Sequence, residues 1–548
     1  MLDLMQVLKA SAGLPVKDND SRLIGELLRN RPTVYGFHID PSISDPAQAV
    51  TYLADAVGKT PAAMGASTFS YGDWADAFFM PKPCMLRSDG TVAYYLDPND
   101  YTQKLGTAAE KTSAVVPIVQ GNVYWNNGTA GEEPTYNSAD IRCRMSAPQP
   151  VPPHTAVEIT LDRSDAVLSC AVTDSAGRYE KRVMYGWSKV AVYRNSTDTV
   201  KYIFGSFAFD DTSKVIKPSD LSVTMTAGPL NTDIANASFD GNAMMEWPLI
   251  WYKFEAGEKD GEGYFYCSDQ QVDDSYKCWC NIDANNNMIP HFYTAIYNTT
   301  GTSKTRSLSG ALLYSSGNGG TVQSQEASRA DANNTTSAVE WNTEIYADRM
   351  LISALLILIS KSLSNRNSFG RGIDSGELEK KEGYITGTLD SKGLFWGDTS
   401  AGDAAVKVFG MENYYGCVWR RVAGLVGDAD GTYKYKLTYS TADGSEAVGY
   451  NSSGNNYLTA GVLRPDKLGG YLSKMSFGKH GLLPKELGGS SSEYYTAFYT
   501  NGAKYALFGG MSNEPLHTSS LYINLGTDIS TASPYIEGGL SCKPTADR

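Results

Sequence analysis

Hydrophobic and polar positions divide the chain into stretches of different character, and the first of them reads as helical. Residues 1–33 carry apolar side chains at three- and four-residue spacing, in two groups separated by Gly13-Leu14-Pro15: Leu2, Met5 and Leu8, then Leu23, Leu27 and Leu28. This spacing predicts two short helices. Because so little apolar surface cannot form a core alone, we expect an attachment segment that docks on a neighbouring subunit or, as an alternative, on its own body.

From Val34 the pattern changes to short alternating runs separated by turns, which predicts strands. Tyr35–Asp40 alternates between apolar and polar positions, and Asp89-Gly90 leads into Val92–Leu96 as a hairpin signal. We expect residues 34–104 to form the first part of a body that resumes after residue 232.

Residues 105–232 have a character of their own, with short strand-like runs, regular turns and no helical period. The runs are Val157–Leu161, Val167–Val172, Val190–Tyr193 and Tyr202–Phe209. This pattern predicts a β-sandwich inserted as a module into a surface loop of the body.

Residues 233–548 combine strands with one strong helical pattern. Glu246–Phe254 alternates as a strand, and apolar residues nearly encircle a helix predicted over Thr343–Leu363. A helix that is apolar on all sides is buried. Short strands in long loops rich in Gly, Ser, Asn and Tyr follow, and loops of that length on a rigid core usually carry function.

Composition and charge narrow the classes of function. The chain has 35 Tyr, 53 Gly and 9 Trp, a usage typical of recognition loops and equally of a turn-rich β protein. The formal net charge of −13 argues against non-specific binding to nucleic acid and against adhesion to an anionic membrane by charge.

Cysteine usage and the lengths of apolar stretches argue against a disulfide scaffold, a zinc knuckle, a cleaved signal peptide and a membrane span. Eight cysteines are too few for a disulfide scaffold, and Cys278 and Cys280 lie too close together for a zinc knuckle, so we expect buried thiols. The N-terminus shows no signal-peptide pattern, and Leu351–Ile359 is too short to span a bilayer. We therefore expect a protein made in the cytosol, without membrane insertion, that a particle carries if it acts outside the cell.

Three stretches resemble known families. Val408–Arg421 resembles the signature of the formylglycine-generating-enzyme branch of the C-type-lectin fold, and Ala506–Cys542 resembles the closing strands of that branch. Variable proteins of diversity-generating retroelements, many of them phage receptor-binding proteins, share this branch. The residues that match the fold signature are Gly410, Met411, Asn413, Gly416, Val418, Trp419, Gly509 and Gly510.

The second and third resemblances concern the body and the inserted module. Val34–Pro61, Asp89–Tyr101 and Asp240–Tyr252 look like the opening of phage tail proteins that carry this head. The inserted module resembles small carbohydrate-binding-like modules in the stretches Asn137–Met145, Gly186-Trp187 and Ile216–Leu221. Together the three resemblances imply an α+β C-type-lectin-like fold (residues 34–104 and 233–548) with an inserted all-β sandwich module (residues 105–232) and a short helical N-terminal segment.

The residues do not support the chemistry of the enzymatic relatives. Those relatives use a pair of reactive thiols near the C-terminus, whereas here Cys542 stands alone on a predicted core strand. Cys417 replaces the usual Asn and Arg420 the usual acid, which argues against the structural calcium that the resemblance implies. Glu412 and Asp428 as a glycosidase pair lack any fixed separation. We expect a non-enzyme without metal or cofactor, with structural calcium as the alternative.

The resemblance places exposed aromatic and polar residues in loops between residues 490 and 540. The candidate receptor-binding residues are Tyr494, Tyr495, Tyr499, Asn501, Tyr505, Met511, Ser512, Asn513, Glu514 and His517. Phe508, Tyr522 and Leu525 are expected to face inward, and the loop from Met511 to His517 outward.

The hypothesis from these observations is a phage tail adhesin that recognises a bacterial surface glycan or protein. It would sit in the virion tail with other tail subunits as a homo-oligomer, for example a trimer, because many copies strengthen weak contacts. The alternatives are a structural tail or baseplate protein whose head makes only virion contacts, and a tail-associated enzyme.

Overall fold

The computed structural model describes most of the chain, and strands dominate it. The described residues are 31–65, 68–105, 112–183, 187–195, 197–211, 213–229, 231–299, 303–313, 322–375, 384–428, 430–465, 469–489, 495–497, 504–512 and 518–545. Strands make up 41% and helices 8% of the structure. The predicted α+β class is therefore wrong, and the fold is all-β. The reason is that the region after the helix, expected to hold only short strands in long loops, contains longer paired strands such as Gly469–Gly478.

The sandwich strands predicted from alternation are confirmed. One sheet has the strand order Tyr179–Arg182, Ala166–Thr173, Lys201–Phe209, Cys143–Met145 and Ile118–Gln120, with Gln149–Val151 also paired to Lys201–Phe209. The facing sheet has the order Val190–Asn195, Thr155–Leu161, Val223–Pro229 and Thr112–Val115. A hairpin of Asn122–Tyr124 and Thr135–Asn137 lies beside the first sheet.

The sandwich has a hydrophobic core separate from that of the body. Side chains from both sheets, among them Cys143, Val157, Ile159, Leu168 and Phe207, form one buried cluster. Alternation along Thr155–Leu161 turns Val157 and Ile159 into this core. The domain limits at residues 33, 104 and 232 stay predictions, and residues 1–30, with the helices predicted there, lie outside the described residues.

Two antiparallel sheets come from the early and middle parts of the chain. A four-stranded sheet has the order Val50–Ala54, Val34–Ile39, Gly263–Ser268 and Trp251–Ala256. A seven-stranded sheet has the order Val339–Thr343, Leu540–Pro544, His291–Ala295, Gly241–Pro248, Lys82–Arg87, Val92–Asp97 and Asp100–Lys104. The second sheet joins strands from both sides of the sandwich to one of the last strands, so the body is a single unit in space.

The C-terminal sheet carries the region predicted to bind a receptor. Its order is Leu458–Leu463, Thr432–Tyr435, Trp419–Gly427, Lys504–Gly509, Ser519–Asn524, Tyr495–Ala497, Gly469–Gly478 and Gly481–Leu487, with Ile536–Gly538 paired parallel to Trp419–Gly427. Two short ladders complete the described strands: Ala63–Met64 with Phe69–Ser70, and Lys407–Val408 with Met411–Glu412.

The predicted buried helix is confirmed as Tyr346–Ser360, and every one of its residues is buried. Two shorter helices are Gln323–Asp331 and Asn365–Phe369, and single 3₁₀ turns are Pro218–Asp220, Thr232–Ala235 and Trp279–Asn281. Within the described residues no helix is both long and apolar enough to cross a membrane.

Charged residues inside the central helix are paired across the body. Asp348 is fully buried, and Lys543 Nζ donates to its carboxylate at 2.6 Å while Ser541 Oγ donates at 3.0 Å. An unpaired buried charge is costly. The strand Leu540–Pro544, which carries Ser541 and Lys543, therefore supplies the partners that the buried Asp348 of this helix needs.

Candidate functional site

The predicted receptor-binding positions are divided between described and undescribed parts of the chain. Those outside the described residues are Tyr494, Tyr499, Asn501, Asn513, Glu514 and His517. Tyr495 begins the strand Tyr495–Ala497, and its backbone pairs with that of Tyr471. The other end of this strand meets Ser519–Asn524 in parallel pairing.

The remaining three candidate residues pack within the protein. Tyr505 is 4% exposed and Ser512 is fully buried. Met511 is half-buried and packs against a cluster that includes Trp419 and Tyr522. An aromatic-rich run expected at the surface thus contains a buried strand, because both faces of the sheet are covered around Lys504–Gly509. The local pattern of residues does not show that other parts of the protein cover this strand.

The expected inward-facing residues are confirmed. Phe508 and Leu525 are fully buried and Tyr522 is 2% exposed. Trp419 packs against Tyr522 with ring centroids 4.6 Å apart. We use the name C-terminal frame for the three neighbouring strands Trp419–Gly427, Lys504–Gly509 and Ser519–Asn524.

The residues that match the fold signature set the backbone conformation of the segment that leads into Trp419–Gly427, the first strand of the C-terminal frame. Met411, Asn413, Val418 and Trp419 are buried. Gly410 and Gly416 adopt φ of +79° and +74°, in the left-handed region that favours glycine. A Cβ at Gly410 would also lie 2.3 Å from Tyr101 Oη. These positions therefore act through backbone geometry and packing.

Arg349 of the central helix connects the signature segment to the C-terminal frame. Its side chain is fully buried, and Nη1 donates to the Tyr414 carbonyl at 2.9 Å while Nη2 donates to the Ser520 carbonyl at 3.4 Å. The guanidinium also lies 3.8 Å from the centroid of the Tyr414 ring. This contact joins the segment around Tyr414 and the strand Ser519–Asn524.

Arg420, one of the two residues that depart from the signature it resembles, has a buried structural partner. Arg420 Nη1 lies 3.5 Å from Glu344 Oε2, and Arg349 Nη1 lies 3.4 Å from Glu344 Oε1. Arg420 Nη2 also donates to the Glu412 carbonyl at 3.0 Å. One buried carboxylate therefore joins two buried guanidinium groups, and the arginine at position 420 is a framework residue.

Both ends of the connection between the last two frame strands are fixed to the body. Ser512 N donates to the Cys417 carbonyl at 3.0 Å, and Thr518 Oγ1 donates to the Arg371 carbonyl at 2.6 Å. A Cβ at Gly510 would lie 3.2 Å from Thr518 Cα, so the chain two residues before Ser512 passes close to Thr518. The body therefore holds both Ser512 and Thr518, the described residues on either side of positions 513–517.

The thiols near the signature are poor nucleophiles. Cys417 and Cys542 are fully buried, and burial raises the pKa of both thiols above the usual range. A protonated thiol does not attack, because the thiolate is the reactive form. All eight cysteines are buried and free, as the sequence predicted. Among the described residues there is no group of three side chains suited to hold a metal ion.

Glu412, one of the two carboxylates considered as a glycosidase pair, is held by hydrogen bonds inside the protein. Glu412 accepts from Gly387 N at 2.8 Å, Leu389 N at 3.1 Å and Tyr384 Oη at 2.9 Å. Burial, and secondly the nearby Asp390, raise its pKa to about 7. These three hydrogen bonds give the Glu412 carboxylate a structural role, in which it caps the turn at residues 387–389.

The structure contains an ion pair between the sandwich and the body that was not predicted from the sequence. Arg194 Nη2 lies 2.8 Å from the fully buried Asp390 carboxylate, which also accepts from Ser309 Oγ at 2.8 Å and from Tyr297 Oη. Near this ion pair, Lys407 Nζ lies 3.6 Å from the centroid of the Tyr101 ring. Burial lowers the pKa of Lys407 to about 8.

The position of Arg194 explains how the pair forms. Arg194 pairs with Ala156 in the sandwich sheet, on the face opposite the core residue Val157. This face borders a narrow cleft that is also lined by Asp100, Gln103 and Ser391 of the body. The only signal in the sequence was a charged residue at the end of an alternating strand, which normally indicates a solvated position.

Comparison of the chain with protein-family models and with curated proteins finds no match.

Proposed function

We propose that the protein is a non-enzymatic adhesin of a phage tail that binds a receptor on a bacterial surface through residues 513–517 and their neighbours. The observation that supports this most directly is the anchoring of the flanking residues: Ser512 and Thr518 are each hydrogen-bonded to the body, and Gly510 lies close to Thr518. Pre-organised ends reduce the entropy that a recognition segment loses on binding.

The chemistry of the segment agrees with recognition. Asn513, Glu514 and His517 offer hydrogen-bond donors and acceptors, which select partners by directional contacts. The resemblance of Val408–Arg421 to variable receptor-binding proteins adds the phage tail and the bacterial surface to the proposal. Buried, protonated thiols and a capped Glu412 favour binding over catalysis.

The test measures binding of fluorescently labelled protein to a panel of bacterial strains by flow cytometry. We expect strong binding to a subset of strains, and loss of that binding in the triple variant Asn513→Ala, Glu514→Ala, His517→Ala. Its matched control is Asn285→Ala, Glu258→Ala, His154→Ala, which changes the same residue types at exposed positions far along the chain.

The outcomes separate the adhesin from its alternatives. Binding that the control retains and the triple variant loses, with equal melting temperatures, supports the proposal. No binding to any strain, or equal binding by both variants, contradicts it. Assembly of the protein into tail particles without any effect of the triple variant on adsorption would favour a structural tail protein.

A further inference from the structure

The outer face of the larger sandwich sheet carries an unusual combination of arginines and exposed aromatic rings. Arg142 and Arg144 lie on either side of Cys143, which is fully buried in the sandwich core. Because successive side chains of a strand point to opposite faces, both arginines lie on the outer face.

Each of these arginines lies over a different aromatic ring. The Arg142 guanidinium carbon is 5.4 Å from the centroid of the Trp187 ring, and that of Arg144 is 4.8 Å from the centroid of the Tyr136 ring. Trp187 is 40% exposed and Tyr136 is 50% exposed. Large aromatic side chains of this exposure lose much of the hydrophobic benefit that burial would give them.

A third arginine occupies the same face. Arg182 pairs with Ala171, Ala171 pairs with Phe204, and Arg144 pairs with Ser206 two residues further along that strand. This register places Arg182 and Arg144 on one side of the sheet. We name the set Tyr136, Arg142, Arg144, Arg182 and Trp187 the aromatic–arginine face.

The charge of this face is opposite to that of the chain. The whole chain has a formal net charge of −13, whereas the face holds three guanidinium groups. The Asp140 carboxylate lies 3.5 Å from Arg142 Nη1 and offsets one of them. Arginine, unlike lysine, presents a planar group that stacks on rings and binds carboxylates with two parallel hydrogen bonds.

We propose that the aromatic–arginine face binds an anionic polysaccharide whose sugar rings carry carboxylates. The sugar rings stack on Trp187 and Tyr136, and the carboxylates pair with Arg142 and Arg144. The two arginines are two residues apart on a strand, roughly 7 Å, so one extended sugar chain contacts both ring–guanidinium pairs. This site lies on the sandwich and does not depend on residues 513–517.

The experiment measures binding of the full-length protein to polygalacturonate by calorimetry at neutral pH and low ionic strength. The matched ligand is highly methyl-esterified polygalacturonate, which keeps the sugar backbone and removes most of the charge. We expect binding to the acidic polymer, weak binding to the ester, and affinity that falls as salt is added, because screening weakens exposed charge pairs.

Two variants and a control test the residues. Trp187→Ala should weaken binding roughly thirtyfold, the effect of truncating a strong interface residue. Arg142→Gln with Arg144→Gln should remove the preference for the acidic polymer. The control Tyr124→Ala removes an aromatic ring that is also 40% exposed but lies on the other face of its hairpin, since Val123 is the residue that pairs with Tyr136.

The outcomes decide the proposal. Selective binding that Trp187→Ala and the double arginine variant lose and Tyr124→Ala keeps supports it. No binding of wild-type protein to polygalacturonate, equal binding to the ester, or equal effects of Trp187→Ala and Tyr124→Ala overturns it. Loss of cell binding in the 513–517 triple variant with polygalacturonate binding intact would show that the two sites act separately.

Discussion

Replacing Arg194 by Met should destabilise the junction between the sandwich and the body by about 3 kcal/mol. The change removes the guanidinium that is paired with the buried Asp390 carboxylate, and removing one partner of a buried pair typically costs about 3–5 kcal/mol. Ser309 and Tyr297 still donate to Asp390, which places the expected effect at the lower end of that range.

Urea denaturation followed by tryptophan fluorescence measures this effect. With a urea dependence of about 3 kcal/mol per molar, the transition that includes the body should move to lower urea by about 1 M. Arg163→Met is the matched control, since Arg163 is paired with Asp165 at the sandwich surface and both side chains are substantially exposed. Such a surface pair contributes about 1 kcal/mol or less.

A double-mutant cycle separates the ion pair from other effects of the substitution. The pair Arg194→Met with Asp390→Asn removes both charges, so it should cost clearly less than the sum of the two single changes. A cost for Arg194→Met no larger than for Arg163→Met, or additive single effects, would refute the proposed coupling across the junction.

Three further predictions concern backbone geometry and protonation. Gly510→Ala should lower the free energy of unfolding by about 1–3 kcal/mol in thermal denaturation, because φ is +80° and the new Cβ would meet Thr518; an unchanged melting temperature would contradict this. Burial, and secondly Glu326, raise the pKa of Glu537 to about 8, so its contribution to stability is greatest below pH 4.5 and declines as pH rises towards 8. Glu537→Gln should therefore match wild type near pH 4.5 and exceed its stability at pH 8, by at least about 1 kcal/mol, whereas parallel pH profiles would argue against a raised pKa. Burial lowers the pKa of His480 to about 4, so the wild-type protein should lose stability as pH falls from 6.5 to 4. The variant His480→Phe should lose less stability over the same range. Melting temperatures of both proteins at the two pH values would check this.

Local pattern predicted the strands and the helix well where one period dominated. Alternation over Val157–Leu161 corresponds to the strand Thr155–Leu161, and the apolar run over Thr343–Leu363 contains the helix Tyr346–Ser360. These elements follow from side-chain spacing, which the sequence shows directly. The fold class was wrong because glycine- and serine-rich segments such as Gly469–Gly478 form strands through backbone pairing with distant partners.

The site was less predictable because its geometry depends on long-range contacts. Arg349 and Ser520 meet although they are 171 residues apart, and no spacing rule connects them. The same holds for Arg194, whose position on a strand says which face it occupies but not which element covers that face. Tyr505 shows the converse error, since its neighbours suggested a recognition loop while the sheet encloses its ring.

The pairing of Asp348 with Lys543 has a consequence for biosynthesis. The ribosome releases the central helix 195 residues before the lysine that neutralises its aspartate. Until that lysine is synthesised, the Asp348 carboxylate lacks the cation that it pairs with in the folded protein, and its burial is unfavourable. We expect a nascent chain that stops before residue 543 to leave Asp348 without its paired cation, and therefore to be less stable than a chain that contains Lys543.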